Sequence, residues 1–321
     1  MKKIFKYNLI SLAFFFANFS YSDGDHKIFN LGDYRLESGV TLPDTKLSYV
    51  THGKLNANKD NLIVVPSAYL GDHHGFDFLI EPGKALDPNK YFIVATDMFQ
   101  NGLSSSPSNT PEPFNGPNFP LISIRDNVNA GYKLVTEVFG VEKIRAVVGF
   151  SMGAQQAFQW GVSYPNFVEK IVGIAGSAVE YPHGIVRLEG FMSAIKADAA
   201  YKEGNYNSQP EVGLRAGGAH WASWGWSQEW FRLELYKEMG LNSPEAVVEW
   251  FEDFVLTWDA NNLISLAKTW QNNNIGNSPG FDGDFERALG SIKAEVLYMP
   301  SETDMYFHID ALTDEAKSVS Y

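Results

Sequence analysis

The sequence contains no cysteine, which excludes a disulfide framework, a thiol nucleophile and a cysteine-based metal site. It is short of positive charge: 25 Lys and Arg stand against 38 Asp and Glu, for a net charge of −13. With no basic run, the chain argues against nucleic acid or an anionic membrane as partner. Past the first two dozen residues there is no stretch long and apolar enough to span a bilayer. There is no internal repeat and no low-complexity segment. No histidine follows His308.

What is present is a chain of 321 residues, 45% hydrophobic and 20% charged, which is a globular composition with ample material for a core. The start, MKKIFKYNLISLAFFFANFSYS, carries Lys2, Lys3 and Lys6, an apolar stretch from Leu9 to Phe19, and small residues at Ser20 and Ser22. That layout predicts a bacterial secretory signal peptide over 1–22, cleaved after Ser22. An uncleaved anchor is the alternative, which the shortness of the apolar stretch disfavours. Cleavage removes three Lys and no acid, so the mature charge becomes 22 − 38 = −16. The expectation is a periplasmic or secreted protein with no stable membrane insertion after cleavage.

Short apolar runs alternate with helical spacing. Residues 61–66 (NLIVVP), 91–97 (YFIVATD), 144–149, 168–175 and 294–299 read as buried strands. Residues 124–140 have helical spacing and stop at Gly140. Buried strands alternating with helices predict an α/β fold, a mostly parallel central sheet flanked by helices. Between 181 and 290 no β-branched run of strand type occurs, and seven of the eight tryptophans lie from Trp221 to Trp270. This segment reads as a helical insertion forming a cap over the carboxyl ends of the strands, where ligand sites form. Most of its tryptophans are expected to pack within the cap. The predicted division is a signal peptide at 1–22, core at 23–180, cap at 181–290 and the second part of the core at 291–321.

The chemistry centres on VVGFSMGAQQ at 147–156, a G-x-S-x-G pattern between strand and helix. It predicts Ser151 held on a sharp turn as a nucleophile, with Gly149 and Gly153 allowing the strained backbone and close packing. The bland alternative is that Ser151 only caps the following helix. Acyl transfer through serine also needs oxyanion donors. One is the backbone N–H of Met152, at the helix N-terminus. The other comes from the loop PSAYLG, through Tyr69 or Leu70. The third need is a histidine oriented by a carboxylate, in chain order serine, acid, histidine. Asp304 in MPSETDMYF, just past a strand, is the expected acid, with Glu302 as its neighbouring alternative.

The stretches EPGKALDPNKYFIVATDMF, NGLSSSPSN, FPLISIRDNV, VVGFSMGAQQAFQWGVSYPNFV and PSETDMYF resemble, in order, the homoserine O-acetyltransferase-like branch of the α/β-hydrolase superfamily. The resemblance implies the α/β-hydrolase fold with Ser151 as nucleophile and Asp304 as triad acid. It places Tyr69 at the oxyanion-loop donor position. NGLSSSPSN and the cap would then line the entrance, and the protein would form a homodimer through the cap. Two departures stand out. The family's transferases carry an arginine in the first cap helix that binds the homoserine carboxylate, and Met192 falls at that place here. A thioether cannot do the work of a guanidinium. The family's histidine lies in a W-G-H-like segment after one more strand, so the expectation is a C-terminally incomplete chain. Its triad histidine, last strand and last helix would lie beyond Tyr321.

The seven histidines present give no better base. His308 is four residues past Asp304 and opens a predicted helix. His73 and His74 read as adjacent solvent-facing residues, and as a two-histidine metal site they are weak. His52 reads as a turn residue, His183 and His220 fall in the cap, and His26 is near the mature N-terminus. No metal and no cofactor are expected. Three readings follow: an exported serine hydrolase that acts on a small-molecule ester through an acyl-enzyme, an acetyl-CoA-dependent O-acetyltransferase, or an inactive, binding-only relative.

Overall fold

The computed structural model describes residues 26–319; the predicted signal peptide lies outside them. Seven strands form one sheet: β1 (Lys27–Arg35), β2 (Thr41–His52), β3 (Leu62–Pro66), β4 (Phe92–Thr96), β5 (Ala146–Phe150), β6 (Lys170–Ile174) and β7 (Glu295–Met299). Their order across the sheet is β1-β2-β4-β3-β5-β6-β7. β1 and β2 pair antiparallel, as do β2 and β4, and β4 through β7 run parallel. This is the mostly parallel sheet that the apolar runs predict. The antiparallel pair is new, because its strands alternate apolar with polar side chains and carry no continuous apolar run. His52 therefore closes a strand and is not a turn residue.

The helices are α1 (Ile124–Lys133), α2 (Met152–Ser163), α3 (Pro182–Lys196), α4 (Glu211–Ala222), α5 (Gln228–Arg232), α6 (Pro244–Leu256), α7 (Ala260–Gln271), α8 (Phe285–Gly290) and α9 (Ile309–Ser318). Ser123 and Asp126 form a capping box that starts α1. The helical spacing read over 124–140 splits into α1 and a following wide turn at Leu134–Val138. Side chains alternate across the central strands. Leu62, Val64, Phe92, Val94 and Val147 join the larger core, and Ile63, Val65, Ile93, Ala95 and Val148 join the smaller one. Both faces are therefore covered, and β3 and β4 are buried along their whole length. β7 lies at the sheet edge in the described chain, with Leu297 and Met299 exposed.

Between β6 and β7 the chain runs through α3 to α8. This segment is tied to the sheet by buried and half-buried polar contacts. Gln100, in the loop after β4, donates to Ser265 Oγ at 2.7 Å and accepts from Thr269 Oγ1 at 3.0 Å. Asn262 bonds Ser108 twice, at 3.0 and 2.8 Å. Glu180, just past β6, accepts from Trp270 Nε1 on α7 at 2.6 Å and from Gln155 Nε2 on α2 at 3.4 Å. Glu315 on α9 accepts from the Ala178 backbone, Tyr181 and Tyr298 at 2.7, 2.8 and 2.7 Å.

Burial pushes the Glu180 carboxyl up to about 8, against the opposing pull of Arg187 and its hydrogen-bond donors. A carboxyl raised on folding stabilises the protonated native state at low pH. That stability is lost as pH rises from the ordinary value of 4.5 through about 8. Glu180→Gln, which keeps the shape and cannot ionise, is expected to flatten melting temperature against pH between about 5 and 8. An equally steep decline in the variant would remove Glu180 as the cause.

Candidate active site

The parallel strands end on one side of the sheet, and the predicted site residues lie in the segments that leave those strand ends. β5 delivers Ser151, and α2 begins at the next residue. Ser151 has φ 54° and ψ −123°, a backbone conformation that an L side chain adopts only under strain. Its N–H donates to Ile174 O at 2.9 Å, and the residue is buried. The turn closes so tightly that three neighbours must be glycine. A Cβ on Gly149 would lie 2.0 Å from Gly153 O. One on Gly153 would lie 2.8 Å from Pro66 O, and one on Gly176 2.4 Å from Ser151 O. The Ser151 side chain makes no capping hydrogen bond to α2, so helix capping does not account for it.

The contact between Gly153 and Pro66 also sets the loop after β3 against the start of α2. Gln156 Nε2 donates to Ser67 O at 2.9 Å, and Ser67 Oγ accepts from Met98 N at 2.9 Å. The N–H of Met152, in the first turn of α2, has no carbonyl within the helix to bond. Leu70 takes a left-handed φ of 55°. The Tyr69 side chain leaves the loop for the helical segment: its hydroxyl donates to Leu263 O at 3.0 Å, and its ring stacks on Trp221 at 5.1 Å. A cleft lined by residues of this loop, His73 and Phe76 reaches Phe150, the neighbour of Ser151.

Asp304 sits in the turn after β7, where the acid is expected. Its Oδ1 accepts from the N–H groups of Tyr306 at 2.7 Å and Phe307 at 3.0 Å. Burial raises its pKa above the ordinary carboxylate value, opposed by those two N–H groups and by the charge of Arg187. Glu302, the alternative acid, is exposed.

Five of the histidines are placed as follows. His308 caps α9 through Nδ1, which accepts from Asp310 N at 3.3 Å, and its side chain is 73% exposed. His73 is buried, with Nδ1 2.7 Å from Asp97 Oδ2, so it is not solvent-facing as its position beside His74 implies. His74 is exposed and lies 2.6 Å from Asp77 Oδ2. His220 Nε2 is 3.2 Å from Arg187 O, and the His183 ring is 5.1 Å from that of Trp224. Among the described residues no three His, Asp or Glu side chains are grouped as metal ligands.

Sequence reasoning missed two buried groups. Asp97, one residue past β4, also accepts from Ser48 Oγ at 2.7 Å, His73 N at 3.0 Å and Asn101 Nδ2 at 3.0 Å. It thereby pins the end of the loop after β3 to β2 and β4. The signal was an acid at the carboxyl end of an apolar strand, in YFIVATD. The second is Arg187 on α3, five residues before Met192; no sequence pattern marked it. Met192 itself is buried.

Comparison with known proteins places this geometry. Residues 61–318 match the family model of the alpha/beta hydrolase fold. The chain is 39% identical over 300 residues to an ethyl acetate hydrolase of Pseudomonas veronii, covering 92% of this chain and 85% of that protein. The solved structure of an acetylester hydrolase from Corynebacterium glutamicum superposes with a TM-score of 0.89 at 35% identity, over 92% of this chain and 86% of that one. A homoserine O-acetyltransferase of Leptospira biflexa is 31% identical over 299 residues, covering 85% of this chain and 78% of the relative. The family match over residues 61–318 and the relatives covered along most of their length show that the chain belongs to the α/β-hydrolase family.

Proposed function

We propose that the protein is an exported ester hydrolase that cleaves small esters through an acyl-enzyme on Ser151. The observation that carries the reading is the strained φ of Ser151 at the strand–helix junction, enforced by Gly149, Gly153 and Gly176. Ser151 Oγ attacks the ester carbonyl, the alcohol leaves, and water then releases the acid. The N–H groups of Met152 and Tyr69 receive the oxyanion, in a setting from which bulk water is largely excluded. Asp304 is the triad acid. In chain order the base follows it, and no described histidine takes that role. Residues 181–290 act as the cap. The relatives named for ethyl acetate and acetyl esters favour a short acyl group. The acetyltransferase reading is weaker, because a buried Met192 offers no charge to a homoserine carboxylate.

In the native protein, Ser151→Ala is expected to abolish labelling by a fluorophosphonate and to lower ethyl acetate hydrolysis by about 10⁴-fold or more. Equal labelling of the variant would remove Ser151 as nucleophile. Asp304→Asn is expected to keep the fold and lower kcat by about 10³- to 10⁴-fold. Unchanged kcat would return the acid's role to Glu302. Acetyl transfer from acetyl-CoA to a hydroxyl acceptor, faster than hydrolysis, would favour the transferase. The intact mass of the protein purified from its source tests the proposed export. A chain starting at Asp23 supports it and a retained Met1 opposes it; the same mass shows whether a segment carrying the base follows Tyr321.

A further inference from the structure

Arg187 is a buried charge that the proposed reaction leaves without a role. It lies on α3 and is 3% exposed. Its Nε, Nη1 and Nη2 have no hydrogen-bond partner among the described residues. A guanidinium carries five N–H donors and stays charged, so burial without acceptors is strongly unfavourable unless something else compensates.

Three ring faces surround it. Its Cζ lies 4.3 Å from the ring centroid of Tyr306, 4.7 Å from that of Trp270 and 5.2 Å from that of Trp221. Each face presents negative potential to a cation. The charges and phenols that act on it are Tyr306, Glu180, Tyr69 and Asp304. These rings and groups come from separate elements. Trp221 is on α4, Trp270 is on α7, and Tyr306 is in the turn that holds Asp304. Tyr69, from the oxyanion loop, stacks on Trp221 at 5.1 Å. The Tyr306 N–H is itself a donor to the Asp304 carboxylate, at 2.7 Å.

We infer that Arg187 is a positioning residue for the reaction centre: its guanidinium, held over the rings of Tyr306, Trp270 and Trp221, fixes the Asp304 turn against the oxyanion loop. The inference rests on the roles proposed above for Ser151 and Asp304. A triad acid must be charged to steady an imidazolium, and burial works against that charge here. Two backbone N–H groups and Arg187 oppose the burial, and Arg187 is the one among them that brings a full charge. A flat, delocalised cation is needed because the same group must lie on ring faces, which a lysine ammonium matches poorly.

The test is a double-mutant cycle on the full native chain: wild type, Arg187→Met, Asp304→Asn and the double variant. Arg187→Met is expected to lower the melting temperature by about 2 °C or more beyond its effect in the Asp304→Asn background. Arg187→Lys is expected to recover part of that coupling, and takes the place of Arg187→Met in the cycle should the latter not fold. Additive melting temperatures would overturn the inference. With p-nitrophenyl acetate, Arg187→Met is expected to lower kcat at least about tenfold with KM unchanged, and to move the acid limb of the profile to higher pH. A loss confined to KM for the anionic monomethyl succinate, with the neutral ester unaffected, would also overturn it and make Arg187 a substrate-anion site. Failure of wild type to react with a fluorophosphonate would sink the hydrolase reading alone, since the thermal cycle still decides the coupling of Arg187 to Asp304.

Discussion

Ser151 stands at φ 54° on a turn so tight that Gly149, Gly153 and Gly176 all crowd it, and most of the local architecture follows from that constraint. Strain of this kind persists only where the surroundings over-determine it. Here the surroundings are a fully buried β3 beside β5 with the fully buried β4 behind it, an α2 that is buried from Met152 through Val162, and a bond from Ser151 N–H to the end of β6. The approach of Gly153 to Pro66 is what brings the helix N-terminus against the loop after β3. The positive end of α2 and the backbone donors of that loop are therefore consequences of one packing contact.

The second organising element is the junction between the sheet edge and the helical segment above it. It is polar where the core is apolar. Glu180, Trp270 and Gln155 meet there, and Arg187 lies among aromatic faces close by. Buried polar groups are costly unless their partners are in place, so such a junction has few alternative arrangements. Tyr69 links the two elements, since its backbone belongs to the loop after β3 and its hydroxyl bonds Leu263 on α7. The loop's conformation and the seating of the helical segment are coupled through this one residue.

Much was legible in the sequence because it is locally encoded. The five apolar strand runs, the G-x-S-x-G turn and the acid after the last run need no information from elsewhere in the chain. β1 and β2 were not legible, because an antiparallel strand at the sheet periphery alternates polar with apolar and resembles loop sequence. His73 and His74 show the same limit: their rings lie 4.4 Å apart, yet one is buried on Asp97 and the other is exposed.

By itself the sequence determined the fold class, the position of the strained serine, and the place of its candidate acid, since each depends on residue type at short spacing. Only the tertiary structure decided which distant groups meet. Asp97 gathers β2, the loop after β3 and the segment after β4, and Arg187 takes its surroundings from α4, α7 and the turn after β7. The widest of those meetings joins Arg187 to Tyr306, more than a hundred positions on. Burial and desolvation, which decide what a carboxyl or a guanidinium does there, are properties of the packed chain and not of any segment of it.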